Sequence, residues 1–441
     1  MKNKEKRIFL DYAAITPVDL RVAKEMTKIQ KDFWANPSSL HTEGERAKNM
    51  LEEARIRIAR ILHCKSSEVF FTASGTESLN IAILGVVKSQ GQPFGTGAVQ
   101  GLPLAFVSQR SSLKDFAPKG GPLIPHIIVS TIEHSAVLEP IKYLLKEGKA
   151  EVSFIAPNEK GIINPDSIKK EIKENTVLIA IQHANNEIGT IQPIQKIAGV
   201  IREYKQKNPR VALGQNYPYF LVDACQSVCY EDVSIEKLGA DLLVLDGIKI
   251  YGPRGVGILV VKRVINIVPV MFGGGQEGGL RSGTENVIGA VGLAKALELA
   301  RRGGEKESKR LTKLRDYAIK KILKEIPNTS LNGGLENRLP NNINICFQSV
   351  QGESLVRKEG LDSEFLVIKL DTLGFAVSAA SACHSLSLEN GSYVIEAIEN
   401  ARSTSSKSSK CSSSSLRITL GRNTKKSDLD SLISTLKKIV K

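Results

Sequence analysis

The sequence lacks any run of about 18 consecutive apolar residues, the length that a membrane-spanning helix needs. Its six cysteines are scattered over 441 residues without the spacing of a disulfide framework, which predicts reduced thiols in an intracellular protein. The charged start is followed by only a short apolar stretch, Ile8–Leu10, and has no cleavage site typical of a secretory signal. We therefore expect a cytoplasmic location and no contact with a membrane.

Acidic residues are scarce relative to basic ones, because 46 Asp and Glu stand against 61 Lys and Arg, giving a formal charge of +15. This excess suggests an anionic partner such as nucleic acid. A nucleic-acid function would rest on charge alone, since no helix-turn-helix, RNP or basic-aromatic motif accompanies it. With 41% hydrophobic and 24% charged residues, the chain is expected to be folded, and its length predicts two or three domains.

Short, nearly all-apolar segments alternate with longer amphipathic ones through the first two thirds of the chain. The apolar segments have the composition of strands buried on both faces, and they are 126–130, 177–181, 220–223, 241–245 and 257–261. Amphipathic helices are predicted between them, for example over 136–146 and 194–207. This alternation predicts an α/β fold with a mostly parallel sheet flanked by helices. Such sheets bind ligands beyond the carboxyl ends of their strands.

The last third of the sequence predicts a second, smaller α/β domain. A charged amphipathic helix is expected over 306–326, followed by half-exposed strands over 342–347 and 416–420. Two polar segments, 90–125 and 403–415, are typical of surface loops. The predicted division is a large domain over 20–302 and a small domain over 1–19 and 303–441.

Two charged residues lie where predicted strands end. Lys249 follows the strand at 241–245 and precedes a glycine-rich turn, a position from which an amine could reach a cofactor carbonyl. Asp223 ends the strand at 220–223, where it could pair with a protonated ring nitrogen such as that of pyridoxal phosphate (PLP). The alternatives are a solvated lysine in a turn and an aspartate that caps local structure.

Further upstream, the sequence indicates a phosphate site. A predicted strand leads through a small-residue turn at Gly75 and Thr76 into a helix start, whose free N–H groups suit a phosphate. The turn does not match the pattern of a nucleoside triphosphate site. His134 follows the strand at 126–130 and could stack on a planar cofactor or relay protons. Asn186 could donate to a ring hydroxyl, although both residues could equally be structural.

The motifs occur in an order typical of one enzyme family. They are Leu10–Asp19, Ala35–His41, Thr131–His134, Asn185–Gly189, Asp223–Gln226, Lys249–Gly255, Gly273–Thr284, Ser378–Cys383 and Leu416–Arg422. In these motifs the chain resembles the cysteine desulfurases of the NifS/IscS type, in the class V aminotransferase branch of the fold-type I PLP enzymes. The resemblance covers nearly the whole chain.

The resemblance implies a PLP site and a role for each matching residue. Lys249 would hold the cofactor covalently and move the substrate's α-proton, and Asp223 would pair with the ring nitrogen. His134 would stack on the ring and handle protons. The other implied contacts are those of Gln226 and Asn186 with the ring oxygen, and those of Gly75, Thr76 and the partner subunit's Thr284 with the phosphate. The last contact implies a homodimer.

The resemblance also implies the substrate and the nucleophile. Arg417 and Asn36 would bind the carboxylate of free L-cysteine, for which a planar guanidinium is well suited. Cys383 matches the family's nucleophile, and its thiolate would accept the substrate's sulfur as a persulfide, leaving L-alanine. The segments 378–387 and 403–415 would have to move to deliver sulfur to an iron–sulfur scaffold or to a tRNA-thiolation pathway.

The chain departs from the family pattern just before Lys249. The family has Ser-Gly-His there, and both polar side chains donate to the cofactor phosphate, whereas this chain has Asp246, Gly247 and Ile248. A carboxylate about 5 Å from a phosphate charge costs about 3 kcal/mol per charge pair at an effective dielectric near 20. Asp246 could turn toward Arg254, be protonated, or leave the phosphate to other groups.

Two further patterns are expected to carry no function. Gly273–Gly278 fits the glycine count of a dinucleotide motif but lacks the following helix and ribose-binding acid. Cys225 and Cys229 have the wrong spacing for a metal or redox pair, so we expect no metal site.

Two alternatives to a cysteine desulfurase stay open at this stage. One is a related PLP lyase of the selenocysteine type. The other is a non-catalytic relative that acts as an assembly partner and whose Asp246 and Ile248 record the loss of the cofactor. The positive charge then suggests an acidic sulfur-acceptor protein rather than direct contact with nucleic acid.

Overall fold

The computed structural model describes residues 7–90, 124–208, 217–347, 362–379, 391–402 and 411–440. Two segments were predicted as surface loops, 90–125 and 403–415, and their residues 91–123 and 403–410 lie outside the described residues. For residues 411–415 the prediction is wrong: Cys411–Ser413 form a 3-10 helix, Ser415 begins a strand, and Cys411, Ser414 and Ser415 are buried. Within the described ranges, no helix is both long enough and apolar enough to cross a membrane.

The largest sheet among the described residues has seven strands. The first strand of the chain, β1 (Ile8–Phe9), is not part of it. Its members are β2 (Val69–Thr72), β3 (His126–Ser130), β4 (Glu151–Ile155), β5 (Thr176–Gln182), β6 (Tyr219–Asp223), β7 (Leu242–Asp246) and β8 (Gly257–Val261). They lie in the order β2-β8-β7-β6-β5-β3-β4, in which β8 is antiparallel to both neighbours and the other pairs are parallel. The predicted mostly parallel sheet is confirmed.

Helices cover both faces of this sheet. They are α1 (Leu20–Asp32), α2 (Thr42–Leu62), α3 (Gly75–Lys88), α4 (Ser135–Lys146), α5 (Pro165–Glu171), α6 (Ile194–Lys207), α7 (Ile235–Leu238) and α8 (Val287–Glu325). Successive strand residues point to opposite faces, and both faces are apolar. On β5, Ile179 belongs to the core that includes residues of α1, α2, α6 and α8, whereas its neighbour Leu178 belongs to the core that includes residues of α3 and α4. The α/β layering predicted from the apolar runs is therefore confirmed.

A smaller sheet is built from later parts of the chain. The later elements are β9 (Thr329–Leu331), β10 (Asn342–Phe347), α9 (Ser363–Thr372), β11 (Phe375–Ala376), α10 (Tyr393–Ala401), β12 (Ser415–Thr419) and α11 (Lys426–Val440). The antiparallel strands of the smaller sheet lie in the order β12-β10-β9, and β1 and β11 form a separate parallel pair.

The prediction that β10 and β12 are half-exposed is wrong, because both strands are buried throughout. One face packs apolar residues such as Ile345 and Leu416 against α8 and α11. The polar face lies against the large sheet's loops: Asn342 and Asn344 donate through Nδ2 to the backbone oxygen of Glu187 at 3.0 and 3.1 Å. Alternating apolar and polar residues indicate that one face of a strand is polar. They do not show whether that face contacts water or a polar surface of the same protein.

The long helix α8 connects the two sheets. Its first half, including Ala290 and Leu297, packs in the large-sheet core, and its second half, including Leu311 and Ile319, packs under the small sheet. The predicted domain boundary after residue 302 falls inside this helix. The division into two domains stays a prediction.

The prediction of reduced thiols is wrong for two cysteines. Cys346 and Cys411 form a disulfide with their Cα atoms 5.3 Å apart, and both are buried. Because 65 residues separate them, only the fold brings the end of β10 beside the short helix Cys411–Ser413. Among the described residues, Cys64, Cys225 and Cys229 are free thiols.

A buried ion pair links α2 to the glycine-rich segment before α8. Arg55 donates through Nη1 and Nη2 to the two carboxylate oxygens of Glu277, each at 2.8 Å. Glu277 Oε2 also accepts from the Phe71 backbone N at 2.8 Å. The segment whose glycine count fits a dinucleotide motif therefore has a structural role through Glu277.

Glu277→Gln is expected to lower the free energy of unfolding by about 3 kcal/mol, because it leaves the buried Arg55 guanidinium with only the half-exposed Glu52 as a counter-ion. Urea denaturation measures the loss. The matched variant Glu298→Gln breaks a partly exposed pair with Arg57 and should cost less than about 1 kcal/mol. An equal loss of unfolding free energy in the two variants would contradict a stabilising role for the buried Arg55–Glu277 pair.

Candidate active site

The predicted site residues gather at one edge of the large sheet, beyond the carboxyl ends of its parallel strands. Asp223 is the last residue of β6, and Asp246 is the last residue of β7. His134 caps α4 soon after β3, and Asn186 lies beyond the end of β5. This edge, where α/β sheets bind ligands, therefore carries carboxylates, an imidazole and an amide on strands that are near neighbours.

Lys249 lies on a single turn of 3-10 helix, Gly247–Lys249, directly after β7. Its Nζ donates to the backbone oxygens of Ala13 and Ala14, both at 2.7 Å. Gln226 donates through Nε2 to the same Ala13 oxygen at 3.0 Å. Lys249 and Gln226, which are both predicted to contact PLP, therefore donate to the same backbone oxygen.

The N-terminal segment fixes the lysine turn, which sequence reasoning did not foresee. Thr16 donates through its backbone N and its Oγ1 to the Ile248 oxygen at 2.9 and 2.7 Å. Thr16 Oγ1 also accepts from the Tyr251 backbone N at 2.7 Å. The only signal in the sequence was the motif Leu10–Asp19, because contacts to backbone atoms leave little trace in residue types.

Asp223 provides the negative charge at the centre of this edge. Its Oδ1 accepts from the Cys225 backbone N at 3.0 Å. Nearby, burial raises the pKa of Glu133 to about 8, and the charge of Asp223 adds to the effect. Glu133 is therefore mostly protonated at neutral pH, and the pairing of Asp223 with a protonated ring nitrogen stays a prediction.

His134 is held in one orientation by the start of α4. Its Nδ1 accepts from the Ala136 backbone N at 3.1 Å. A neutral ring that accepts at Nδ1 carries its proton on Nε2. The ring therefore has a defined tautomer for the proton-handling role predicted for it, although its stacking on a cofactor stays a prediction.

The helix start predicted to bind phosphate is already in contact with a carboxylate. Gly75 is the first residue of α3, and its backbone N donates to Asp246 Oδ2 at 2.8 Å. Asp246 Oδ1 accepts from the Ile248 backbone N at 3.1 Å. Burial raises the pKa of Asp246, while these two N–H groups and the Lys249 charge act against that rise. Of the three possibilities considered for Asp246, the turn toward Arg254 is therefore not adopted.

Arg417, in β12, is almost fully buried at the same edge. It donates through Nη2 to Asp11 Oδ1 at 2.9 Å and through Nη1 to the Asn186 backbone oxygen at 3.1 Å. Its Nε is buried and has no hydrogen-bond partner within the described residues. An unsatisfied guanidinium N–H suits a carboxylate ligand.

Three predicted residues are not brought into the cluster by described contacts. Asn36 is exposed, and its Oδ1 accepts from the Ser38 backbone N at 2.9 Å, which closes a local turn. Thr76 is exposed in the first turn of α3, and Thr284 is exposed just before α8. Their roles in binding substrate and phosphate stay predictions.

Cys383 lies outside the described residues, but both ends of its segment are anchored at the site. On one side, Ser378 exchanges backbone hydrogen bonds with Arg417, at 3.1 and 2.8 Å. On the other, Ser392 donates to the Glu187 carboxylate and Tyr393 donates to the Glu133 backbone oxygen. The position of Cys383 itself stays a prediction.

The two cysteines nearest the site are unsuited to chemistry. Burial raises the pKa of Cys225 well above its usual value and that of Cys229 to about 12. Both thiols are therefore protonated and poor nucleophiles. Within the described ranges, no three or more His, Cys, Asp or Glu side chains are grouped to hold a metal ion.

The residues at this edge fit PLP in their chemistry. Lys249 offers an amine for its aldehyde, Asp223 a carboxylate for its ring nitrogen, and His134 an imidazole for the ring face. Gln226 lies within reach of the same carbonyl as the lysine. The phosphate end fits less simply, because the first N–H of α3 already donates to Asp246.

Comparisons with known proteins agree with this arrangement. The profile of the class V aminotransferases matches residues 8–97 and 123–432. Cysteine desulfurase IscS of Dictyoglomus turgidum is 39% identical over 99% of this chain and 95% of its own length, and IscS 1 of Archaeoglobus fulgidus is 37% identical over 98% and 96%.

Solved structures of similar proteins share the fold of this chain. A NifS-like protein, 28% identical, superposes with a TM-score of 0.78 over 98% of this chain and 99% of its own. SspA in complex with cysteine, 30% identical, gives a TM-score of 0.69 over 93% and 98%. The chain belongs to the class V aminotransferase family, in the group of the IscS/NifS-type cysteine desulfurases.

Proposed function

We propose that the protein is a PLP-dependent cysteine desulfurase that takes sulfur from free L-cysteine. The substrate's C–S bond breaks, the sulfur bonds to the Cys383 thiolate as a persulfide, and the carbon skeleton leaves as L-alanine. The observation that carries the proposal is the convergence of Lys249, Asp223 and Arg417 at one sheet edge, with the Cys383 segment anchored on Arg417 itself.

The lysine, the aspartate and the histidine supply the acid–base groups. When bound, PLP supplies an electron-withdrawing ring that makes the α-hydrogen of an amino acid acidic. Lys249 would take that proton and return it, since its amine is half-buried and close to the ring-binding residues. Asp223 would keep a proton on the ring nitrogen, and the Nε2–H of His134 could be donated to the substrate's β-carbon, which keeps the electron pair of the broken C–S bond.

Arg417 positions the substrate. Its buried Nε–H is available to a carboxylate, while Asp11 and the Asn186 oxygen hold the guanidinium plane in place. A guanidinium whose geometry is set before the ligand arrives loses less entropy on binding it. The side of the site that carries the substrate's carboxylate is therefore fixed by the small sheet.

Cys383 is the proposed sulfur acceptor. A soft thiolate is the side chain best suited to attack sulfur, and the buried Cys225 and Cys229 thiols are protonated. Its segment is tied at one end to Arg417 and at the other to Glu187 and Glu133. These ties support delivery of the thiol to the bound substrate.

Location, assembly and sulfur acceptors belong to the same proposal. The exposed Thr284 supports a homodimer in which each subunit completes the other's phosphate site. The persulfide would pass to an iron–sulfur scaffold or another acceptor protein in the cytoplasm. Selenocysteine is the alternative substrate, since the same residues would bind it.

A non-catalytic assembly partner is the second candidate function. The contact of Asp246 with the Gly75 N–H favours it, because a carboxylate there opposes a phosphate. Visible absorbance after incubation with PLP separates the two, since an assembly partner would stay colourless and release no sulfide from L-cysteine.

Cys383→Ala is expected to lose sulfide and alanine production by about a thousandfold while binding PLP as before, because only the sulfur acceptor is removed. Sulfide release with a reductant and alanine formation measure the effect. Cys64→Ala is the matched control: burial raises the pKa of this thiol to about 12, and its loss should leave turnover unchanged. Normal sulfide release from Cys383→Ala would discard the persulfide route.

A further inference from the structure

The start of α3 and the turn that carries Lys249 are bridged by one side chain. Asp246 accepts from the Gly75 backbone N with Oδ2 (2.8 Å) and from the Ile248 backbone N with Oδ1 (3.1 Å). Both carboxylate oxygens are therefore used, each on an N–H group. A carboxylate that only accepts hydrogen bonds is matched to this pair of donors in its ionised form.

The bridging carboxylate is also packed tightly. Asp246 is 7% exposed, and a Cβ placed on Gly75 would lie 3.0 Å from Cys225 Sγ and 3.3 Å from Asp246 Oδ2. Little space is left between Asp246 and the first residue of α3. A second anion at this N–H requires the carboxylate to leave it.

The side chain of Ile248 does not replace the N–H donor that Asp246 occupies. Ile248 is apolar and offers a ligand no hydrogen bond from its side chain. The exposed Thr76, in the first turn of α3, keeps its hydroxyl available. A phosphate group arriving here would lose one backbone donor to Asp246 and meet a like charge beside it.

We propose that Asp246 is a built-in anion at the helix start, which competes with the cofactor's phosphate and makes this chain discriminate weakly between PLP and pyridoxal. The inference rests on the proposed function for the identity of the cofactor. Its physical basis is the replacement of a hydroxyl donor by a carboxylate that occupies the first N–H group of α3, at the helix start predicted to bind the phosphate.

The first test is equilibrium binding of PLP and of pyridoxal to cofactor-free protein, followed by absorbance. Asp246→Ser and Asp246→Asn should tighten PLP binding by about tenfold or more, because the competing charge is gone, and leave pyridoxal binding nearly unchanged. Asp246→Glu keeps the charge and should behave like the parent protein. Pyridoxal serves as the internal control, since a general loosening of the site would change both affinities.

The second test uses inorganic phosphate on the cofactor-free protein. Millimolar phosphate should raise the thermal midpoint of Asp246→Asn and leave that of the parent protein unchanged, because a ligand stabilises only the form that binds it. Circular dichroism confirms that each variant is folded. This arm does not depend on PLP.

The outcomes separate the two proposals. If neither aldehyde attaches to Lys249 in any variant, the proposed function fails. The change of thermal midpoint with inorganic phosphate then remains as the test of whether Asp246 excludes an anion. If both bind but the ratio of PLP to pyridoxal affinity is the same in the parent, Asp246→Ser and Asp246→Asn, the inference is overturned and the proposed function stands. A parent protein stabilised by phosphate as strongly as Asp246→Asn overturns it as well.

Discussion

Lys249→Ala is expected to abolish covalent binding of PLP and to lower turnover of L-cysteine by at least about a thousandfold, since the residue serves both as the attachment point and as the base. Arg417, a second cation described at this edge, cannot replace the amine, because a guanidinium does not bond covalently to an aldehyde and Asp11 holds it in place. Visible absorbance and alanine formation measure the two effects.

Lys249→Arg separates chemistry from folding. The guanidinium keeps a cation near the Ala13 and Ala14 oxygens but cannot bond covalently to an aldehyde, so the variant should fold and still be inactive. Lys142→Ala, on the exposed side of α4, is the control and should keep full activity. An active Lys249→Arg would show that the base and the attachment point lie elsewhere.

Arg417→Lys is expected to raise the KM for L-cysteine by about 10- to 100-fold, with a smaller change in kcat. Lysine keeps the charge but loses the planar set of N–H donors, and a hydrogen bond to a charged group is worth about 1.5–3 kcal/mol. Steady-state kinetics at saturating and limiting substrate separate the two constants. Lysine is preferred to an apolar substitution, which would leave the Asp11 carboxylate without its partner.

The control for this prediction is Arg422→Lys. Arg422 donates to Asp19 Oδ2 at 2.7 Å and lies over the Tyr251 ring, so it shares the chemistry of Arg417 without facing the proposed substrate. Its replacement should leave the KM unchanged. An unchanged KM in Arg417→Lys, by contrast, would remove this residue from the substrate site.

Strands buried on both faces were the easiest elements to predict. The bounds of β3 and β8 agree with the predicted 126–130 and 257–261, and those of β5, β6 and β7 differ by one residue. Their apolar runs are short and bounded by polar or glycine residues, and those of β3, β5 and β8 are rich in β-branched residues, which favours a strand over a buried helix. The helix α6 agrees with the predicted 194–207 for a similar reason, namely a sustained amphipathic period.

The helix α8 shows where such patterns fail. Only 306–326 was predicted, whereas the helix begins at Val287 and continues through Gly303 and Gly304. Each internal glycine costs about 1 kcal/mol of helix propensity, which favours a break in a sequence-based prediction. The structure explains one of these glycines. A Cβ on Gly304 would lie 3.0 Å from the Cys229 backbone oxygen, because the helix passes close to the chain after β6.

The candidate site was predictable wherever a residue type reveals its chemistry. Lys249 and Asp223 could be singled out because charged residues at the ends of buried strands need a partner. The hold of Ala13 and Ala14 on Lys249 was not predictable, because backbone oxygens are the same for every residue. The contact of Asp246 with Gly75 required the fold, which brings together residues 171 apart in sequence.

The most direct test of the desulfurase function is mass spectrometry of the protein after mixing with PLP and L-cysteine in the absence of reductant. We expect the peptide that contains Cys383 to gain the mass of one sulfur atom, with one L-alanine formed for each modified subunit. The Cys64 and Cys229 peptides should stay unmodified. Alanine formed without added sulfur on the Cys383 peptide, or sulfur added to another cysteine first, would contradict the assignment of Cys383 as the sulfur acceptor.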